Sequence, residues 1–383
     1  MKNDTSAGAA RLAVAAPLQS PCNPNGSART LGYGSSGTSP GGAPTARGAP
    51  QASLRPSIHL FGAGKVGRAF LRRLEADRLV AATDSRGTVF AREGLDARAL
   101  ADHKQRGGSF DAPPEGLAAR YERLPAAVAA DFVAADIAAV AIASDSRRAS
   151  EELALVEAAL RAGSRVALAS KGALALAADE LLGGRWAGRV GCSAALGGTG
   201  RRFAAELGLL RERCASVALV ANATTTAVIE ALEDGLALEE GLERARELGL
   251  AEADASADLD GSDAALKLAA VARALWSLGP SDPLAIRRDS LADFDPGLAR
   301  ARVRRGSTTR LVARACADGS LEVALEELPR GSPLAIGPER VAYAYDLGRG
   351  ETRVHLGSAL GALRTARALH CDVLAFAVTG GAR

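Results

Sequence analysis

Two kinds of residue in this chain have the types and spacing for chemistry: a dense group of carboxylates and a very small set of lysines. Residues 249–268, GLAEADASADLDGSDAALKL, hold Glu252, Asp254, Asp258, Asp260 and Asp263, and Lys267 follows Asp263 by four positions. On a helix, side chains four apart share a face, so Asp263 and Lys267 are placed to pair. One reading is a solvated acidic loop that leads into a helix carrying a surface ion pair. The other is a site in which the carboxylates hold and orient one titratable ammonium for acid–base work. Of the 47 basic residues only five are lysines, at positions 2, 65, 104, 171 and 267. Arginine does not give up its proton in a protein, whereas lysine can be tuned to do so. The few lysines therefore mark positions where a titratable amine matters, unless drift towards arginine spared them by chance.

A second constellation has the chemistry of a phosphate cradle. Gly62, Ala63, Gly64, Lys65, Val66 and Gly67 form G-x-G-x-x-G, directly after the apolar run SIHLF and before KVGRAFLRRLEA. The first glycine allows the tight turn and the second lets a pyrophosphate approach the backbone. The third permits close packing of helix on strand, with helix amides facing the phosphate. The competing reading is a tight glycine turn with no ligand. Asp84 ends the next strand, LVAATDS, where a carboxylate can bond a ribose 2′-hydroxyl and favour NAD. Lys65 and Arg86 can instead meet a 2′-phosphate, and the balance leans to NADP.

These residues need a scaffold, and the apolar pattern supplies one. From Ser57 onward short buried strands (SIHLF, LVAATDS, DIAAVAIAS, RVALAS) alternate with helices such as ASEELALVEAALRAG. That alternation predicts an α/β fold with a Rossmann-type doubly wound parallel sheet. After residue 200, helices expected at 203–212, 227–247 and 263–278 alternate with β-like runs such as TTRLVARAC and LEVALEEL, predicting a second α+β domain. Ser262 or Asp260 is expected to cap the third of these helices. Residues 1–56 are Ser, Gly, Ala and Pro with scattered Arg. They read as a disordered leader or a mis-assigned start, ahead of an organelle transit peptide.

The bulk numbers set limits. A net charge of +3 and 4% aromatics give no basic, base-stacking surface for nucleic acid. No apolar run approaches the ~18 residues of a membrane span. Five widely spaced cysteines without metal-ligand spacing read as reduced thiols of a cytoplasmic protein.

The order of motifs from about residue 57 to the C-terminus resembles that of the homoserine dehydrogenase family, in which aspartate 4-semialdehyde and homoserine are interconverted with a nicotinamide cofactor. VALASKGAL is similar to the family's strand ending in a site lysine, here Lys171, and NATTT (222–226) stands at its Asn-Gly-Thr-Thr-Asn turn. The acidic stretch matches G-x-x-E-x-D…D-x-x-G-x-D-x-x-x-K, and GSALGALRTARALHCDV is similar to the glycine-rich segment and final helix that return to the cofactor domain. The resemblance implies that Glu252, with Thr224 and Asp263, binds the substrate, Glu252 gripping its ammonium. It implies that Lys267, Lys171 and Asp263 are catalytic, with Lys267 favoured over Lys171 as proton donor. Ser144, Lys171 and Gly361 are then expected to face the cofactor as well.

The implied domains are a cofactor domain at 57–195, completed by 345–383, and a catalytic and dimerisation domain at 196–344, in a homodimer acting on a small molecule. About twenty residues follow Gly361, so an appended regulatory domain, which takes ~70 residues, is not expected. Departures from the family cluster near the substrate: Leu250 for an aromatic residue, Ala223 and Thr226 in the turn, Ser170 before Lys171, and Ile142 for an acid. Ser358, Ala359 and Ala362 stand where the family has a proline and two glycines. Gly191 and Thr199 replace a Glu and a Pro in the segment that helps hold a monovalent cation, so no metal is assigned. The charged chemistry is kept while the shape around it changes. This leaves two rivals: a dehydrogenase for another small amino-acid semialdehyde, and a cofactor-binding protein without turnover.

Overall fold

The computed structural model describes residues 55–74, 77–251, 255–358 and 361–380; the leader, Glu252 and Asp254 lie outside the described residues. The first sheet is built from β1 (Ser57–Phe61), β2 (Arg78–Thr83), β3 (Thr88–Phe90), β4 (Arg120–Glu122), β5 (Ile137–Val140), β6 (Arg165–Leu168) and β7 (Val190–Gly191). Their order is β4-β3-β2-β1-β5-β6-β7, and β2, β1, β5, β6 and β7 run parallel. Strands β1 and β5 are buried along their whole length, as strands covered by helices on both faces must be. The covering helices include α1 (Lys65–Leu71), α2 (Ala97–Gln105), α3 (Ala126–Phe132), α4 (Ala149–Arg161) and α5 (Gly172–Gly183). The sheet is not parallel throughout. Strands β3 and β4 add to its edge antiparallel, because the chain leaves β2 through a short hairpin at Asp84–Gly87 and not through a crossover helix.

The second layer holds α6 (Gly200–Arg213), β8 (Ser216–Val220), α7 (Ala223–Glu233), α8 (Leu238–Glu247), α9 (Ser256–Leu259) and α10 (Ser262–Trp276). It continues through β9 (Arg287–Arg288), α11 (Pro296–Arg304), β10 (Ser307–Cys316), β11 (Leu321–Pro329), β12 (Val341–Asp346) and β13 (Thr352–Gly357). Its strand order is β13-β12-β8-β10-β11-β9, antiparallel except where β9 meets β11. The helix expected at 227–247 is two helices. Gly235, at φ +100°, ends the first, where Leu236 N donates to Ala231 O, and α8 folds back on α7. The return to the first layer also comes later than position 345. Strands β12 and β13 pair with each other and β12 pairs with β8, and among the described residues of this segment α12 (Gly361–Gly380) crosses back, burying Ala366, Leu369 and Val373 in the core around β1.

One helix pair positions the chemistry. Helices α5 and α10 are both alanine-rich, with Ala173, Ala175 and Ala178 facing a helix whose Ala265, Ala269 and Ala272 are fully buried. Small side chains let the two axes approach closely and pack along their length. Both helices begin at the same place, so the residue before α5 and the first turn of α10 are brought together.

Candidate active site

Lys171 occupies the position just before α5, and Lys267 lies on the second turn of α10. Asp263, in the first turn of α10, joins them. Its Oδ1 is 3.1 Å from Lys171 Nζ and its Oδ2 is 2.7 Å from Lys267 Nζ. Lys267 Nζ also donates to the carbonyl of Ala221, at the end of β8, and Lys171 Nζ donates to Ser144 Oγ at 3.3 Å. Lys267 is 7% exposed, so the reading of Asp263 and Lys267 as a surface pair is overturned. Each ammonium has three N–H groups, and among the described residues two are used, which leaves one on each lysine for a further partner.

The surrounding polar groups fix the shared carboxylate. Asn222 Nδ2 donates to Asp263 Oδ2 at 3.1 Å and to Asp258 Oδ1 at 2.6 Å. Its Oδ1 caps α7 by accepting from Thr225 N at 2.9 Å, so the segment NATTT is a helix start and not a free turn. Thr224 Oγ1 donates to Leu250 O at 2.9 Å and Thr225 Oγ1 to Asp258 O at 2.8 Å, tying both ends of the acidic loop to α7. Asp260 accepts from Ser262 N at 2.9 Å, and Gly261, at φ +78°, takes the cap position of α10.

Burial alone would raise the Asp263 pKa, but the charges of Lys171 and Lys267 outweigh it and hold the carboxyl well below the usual range. Burial works to lower Lys171, and Asp263 overrides it, with Asp258 and Glu152 adding, so the net shift is upward. Asp258 is pushed up, first by burial and then by the charge of Asp263. The arrangement keeps Asp263 ionised and Lys171 protonated.

At the other end lies the glycine turn. Gly62 has φ +94°, and a Cβ there would sit 2.5 Å from Ala141 O. A Cβ on Gly67 would sit 2.0 Å from Gly62 O. Gly64 differs, since nothing lies within 4 Å of the place its Cβ would take. Two glycines serve the turn itself, and the third leaves open space above the start of α1. These residues fit a dinucleotide's pyrophosphate. Ala63 is buried, Val66 half-buried and Lys65 exposed.

Asp84 is more occupied than its sequence position suggests. It accepts from Arg86 N at 2.8 Å, Gly87 N at 3.2 Å and Phe110 N at 3.1 Å, and pairs with Lys104 Nζ at 2.7 Å. Arg86 is exposed beside it. Lys104, on α2, was not singled out from the sequence as a site residue, although the scarcity of lysines marked it. Asn222, Asp258 and Thr225 were also passed over; the cap position of Asn222 before a helical run was the available signal.

Gly361 lies at the start of α12 with φ +68°, its nearest neighbour being Gly249 O, so it borders the acidic loop. Glu252 lies outside the described residues. In the segment after β7, Asp372 of α12 accepts from Ser193 N at 2.8 Å and Ser193 Oγ at 2.6 Å. A Cβ on Gly191 would sit 2.8 Å from Asp372, so the loop and the last helix are locked together there. Among the described residues no group of three His, Cys, Asp or Glu side chains could hold a metal ion.

Fold and glycine turn place the chain among the dinucleotide-binding α/β proteins. Residues 203–374 match the family model described as homoserine dehydrogenase. The homoserine dehydrogenase of Methanocaldococcus jannaschii is 24% identical over 338 residues, which cover 83% of this chain and 97% of that one. The homoserine dehydrogenase of Bacillus subtilis is 31% identical over 230 residues, 57% of this chain and 52% of that protein, so the match spans about half of this relative. A hyperthermophilic archaeal homoserine dehydrogenase solved in complex with NADPH has the same fold, with a TM-score of 0.66 and 21% identity over 85% of this chain and 98% of that one. The chain is thus similar to homoserine dehydrogenases in sequence over residues 203–374 and shares the fold of a solved one over most of its length.

Proposed function

We propose that the protein is an NAD(P)-dependent oxidoreductase that interconverts aspartate 4-semialdehyde and homoserine, a step towards threonine and methionine. The observation that carries this reading is the single carboxylate of Asp263 shared by Lys171 and Lys267. A nicotinamide cofactor, held at the turn of Gly62, Gly64 and Gly67, would supply or take up the hydride. The chain's own residues then manage the oxygen and the proton. In the reducing direction the remaining N–H of each lysine meets the carbonyl oxygen as charge builds on it, and one of them, Lys267 in the favoured assignment, gives up a proton. Asp263 holds both ammonium groups in place until that moment. The family resemblance assigns the substrate's ammonium end to Glu252, with Thr224 and Asp263.

The cofactor is assigned as NADP ahead of NAD. Asp84 already accepts four hydrogen bonds, one from Lys104, while Arg86 and Lys104 bring positive charge to the exit of β2 and Lys65 stands at the start of α1. The protein is assigned as a cytoplasmic homodimer on the family resemblance; among the described residues no helix is long and apolar enough to cross a membrane. A second reading, a dehydrogenase for another small amino-acid semialdehyde, is favoured by Leu250, whose backbone is held by Thr224 beside the acidic loop where the family carries an aromatic residue. Purified protein assayed with homoserine and each cofactor tests the assignment. Cofactor reduction on homoserine supports it. Turnover confined to other semialdehydes selects the second reading, and cofactor binding without turnover on any of them overturns both.

A further inference from the structure

We propose that Glu152, a buried acid on α4, is a positioning residue for Lys171: its carboxylate closes the N-terminus of α5 and fixes the point from which the lysine side chain departs. A helix begins with amides that have no partner, and the residue at the cap position usually satisfies one of them with a short polar side chain. Here the cap position is Lys171 itself, which makes no cap bond and is committed to Asp263 and Ser144. The cap is supplied from another element. Glu152 is 2% exposed, and its Oε2 accepts from Gly172 N and its Oε1 from Ala173 N, both at 3.1 Å.

The residue after the lysine is part of the same device. A Cβ on Gly172 would fall 2.8 Å from Glu152 Oε2 and 2.9 Å from Ala149 Cα, so only glycine leaves room for the carboxylate. There is an electrostatic reason as well. The start of a helix carries partial positive charge, an unfavourable neighbour for an ammonium. A carboxylate on those amides offsets it. Three carboxylates, Asp263, Asp258 and Glu152, bear on Lys171, and Lys267 shares Asp263 with it. Burying a carboxyl group without a lysine in direct contact is unfavourable, and burial pushes Glu152 up, against the two amides and Lys171. A local Ser or Asp cap would avoid that burden but would displace the lysine.

The inference rests on the proposed role of Lys171 in the reaction, and the test separates the two. Glu152→Gln and Gly172→Ala are compared with wild type and with Lys171→Arg for kcat, KM, cofactor affinity and melting temperature. Protein labelled with ¹³C-lysine, where only five lysines contribute, gives the titration of the Lys171 Cε signal. Both variants are expected to lose roughly ten- to hundredfold in kcat, the scale of a small misplacement, with cofactor affinity unchanged. The Lys171 signal is expected to titrate at lower pH in Glu152→Gln, and the double variant to be no worse than either single one. A wild-type kcat together with an unmoved Lys171 titration overturns the proposal, even if melting temperature falls, because Glu152 would then be a helix cap only. If Glu152→Gln fails to fold, Gly172→Ala carries the same test. If Lys171→Arg retains turnover while Glu152→Gln still moves the lysine's titration, the catalytic reading fails and the positioning contact stands.

Discussion

The two ends of the candidate site are built on opposite principles. The phosphate end is six consecutive residues, Gly62 to Gly67, whose contribution is the absence of side chains. The lysine end gathers Ser144, Lys171, Ala221, Asn222, Asp258, Asp263 and Lys267 from the exits of β5, β6 and β8 and from α9 and α10. Its contribution is charge held against burial. The difference teaches where each end is fragile: the first to added volume, the second to the loss of one partner.

Asp263→Ala tests that fragility most severely. It leaves two largely buried ammonium groups without their common partner, and breaking a buried pair in this way destabilises by about 3–5 kcal/mol. Denaturant melts should show that loss, and turnover should fall by about 10²–10⁴ in whatever folded protein remains. A variant as stable as wild type would mean the lysines do not depend on Asp263.

Asp372 sharpens the comparison, because among the described residues it is a buried carboxylate held by hydrogen bonds from Ser193, with Arg201 acting on it through charge and no lysine paired to it. Burial pushes its pKa up to about 6 from 3.8. The native state therefore holds the proton more tightly than the unfolded chain, and Asp372 penalises the fold increasingly as pH rises from about 4 through 6. Asp263, shifted the other way, stabilises at neutral pH and loses that contribution only on acidification below the ordinary carboxylate range. Asp372→Asn should gain on wild type by about 2 kcal/mol between pH 4 and pH 8, at 1.36 kcal/mol per pKa unit. Parallel unfolding curves at the two pH values check it, and a difference that does not change with pH would remove the assignment.

At the phosphate end two neighbouring glycines should behave differently. Gly67→Ala places a Cβ against Gly62 O and should lower stability by about 1–3 kcal/mol, the usual scale of overpacking. Gly64→Val meets open space, so its melting temperature should stay near wild type while fluorescence titration shows weakened cofactor binding. Equal melting temperatures for both variants would contradict this division. The smallest effect concerns cofactor choice. Replacing Lys65, Arg86 and Lys104 with alanine should move the ratio of NADP to NAD affinities by about tenfold towards NAD, or 1.4 kcal/mol. An unchanged ratio would remove the 2′-phosphate reading.

How much of this was legible in the sequence follows from the same contrast. The glycine turn could be read because every part of it lies within six residues and the flanking strand and helix have distinct periods. The Asp263–Lys267 spacing was legible as a helical pair, and its burial was not, since burial depends on α5 lying against α10. The scarcity of lysines marked Lys171, but its place in the site entered through a resemblance, because nothing local relates it to a residue 92 positions later. The carbonyl of Ala221 carries no side-chain signal at all. Lys104 meets Asp84 only because the chain leaves β2 through the hairpin that adds β3 and β4. The break between α7 and α8 was hidden by a continuous apolar period, although Gly235 was a visible stop.

The central claim is that Lys171 and Lys267, held by one carboxylate, manage the proton of a hydride transfer. Turnover of Lys267→Arg and Lys171→Arg across pH, with melting temperature and cofactor affinity measured alongside, tests it most directly. Arginine keeps the charge, but its pKa of about 13 makes it too weak an acid near neutrality. The account predicts that each variant folds and binds cofactor as wild type does, and that the variant at the donor lysine loses about 10²–10⁴ in turnover. Near-normal turnover by both variants, on a substrate that the unaltered protein converts, would contradict it.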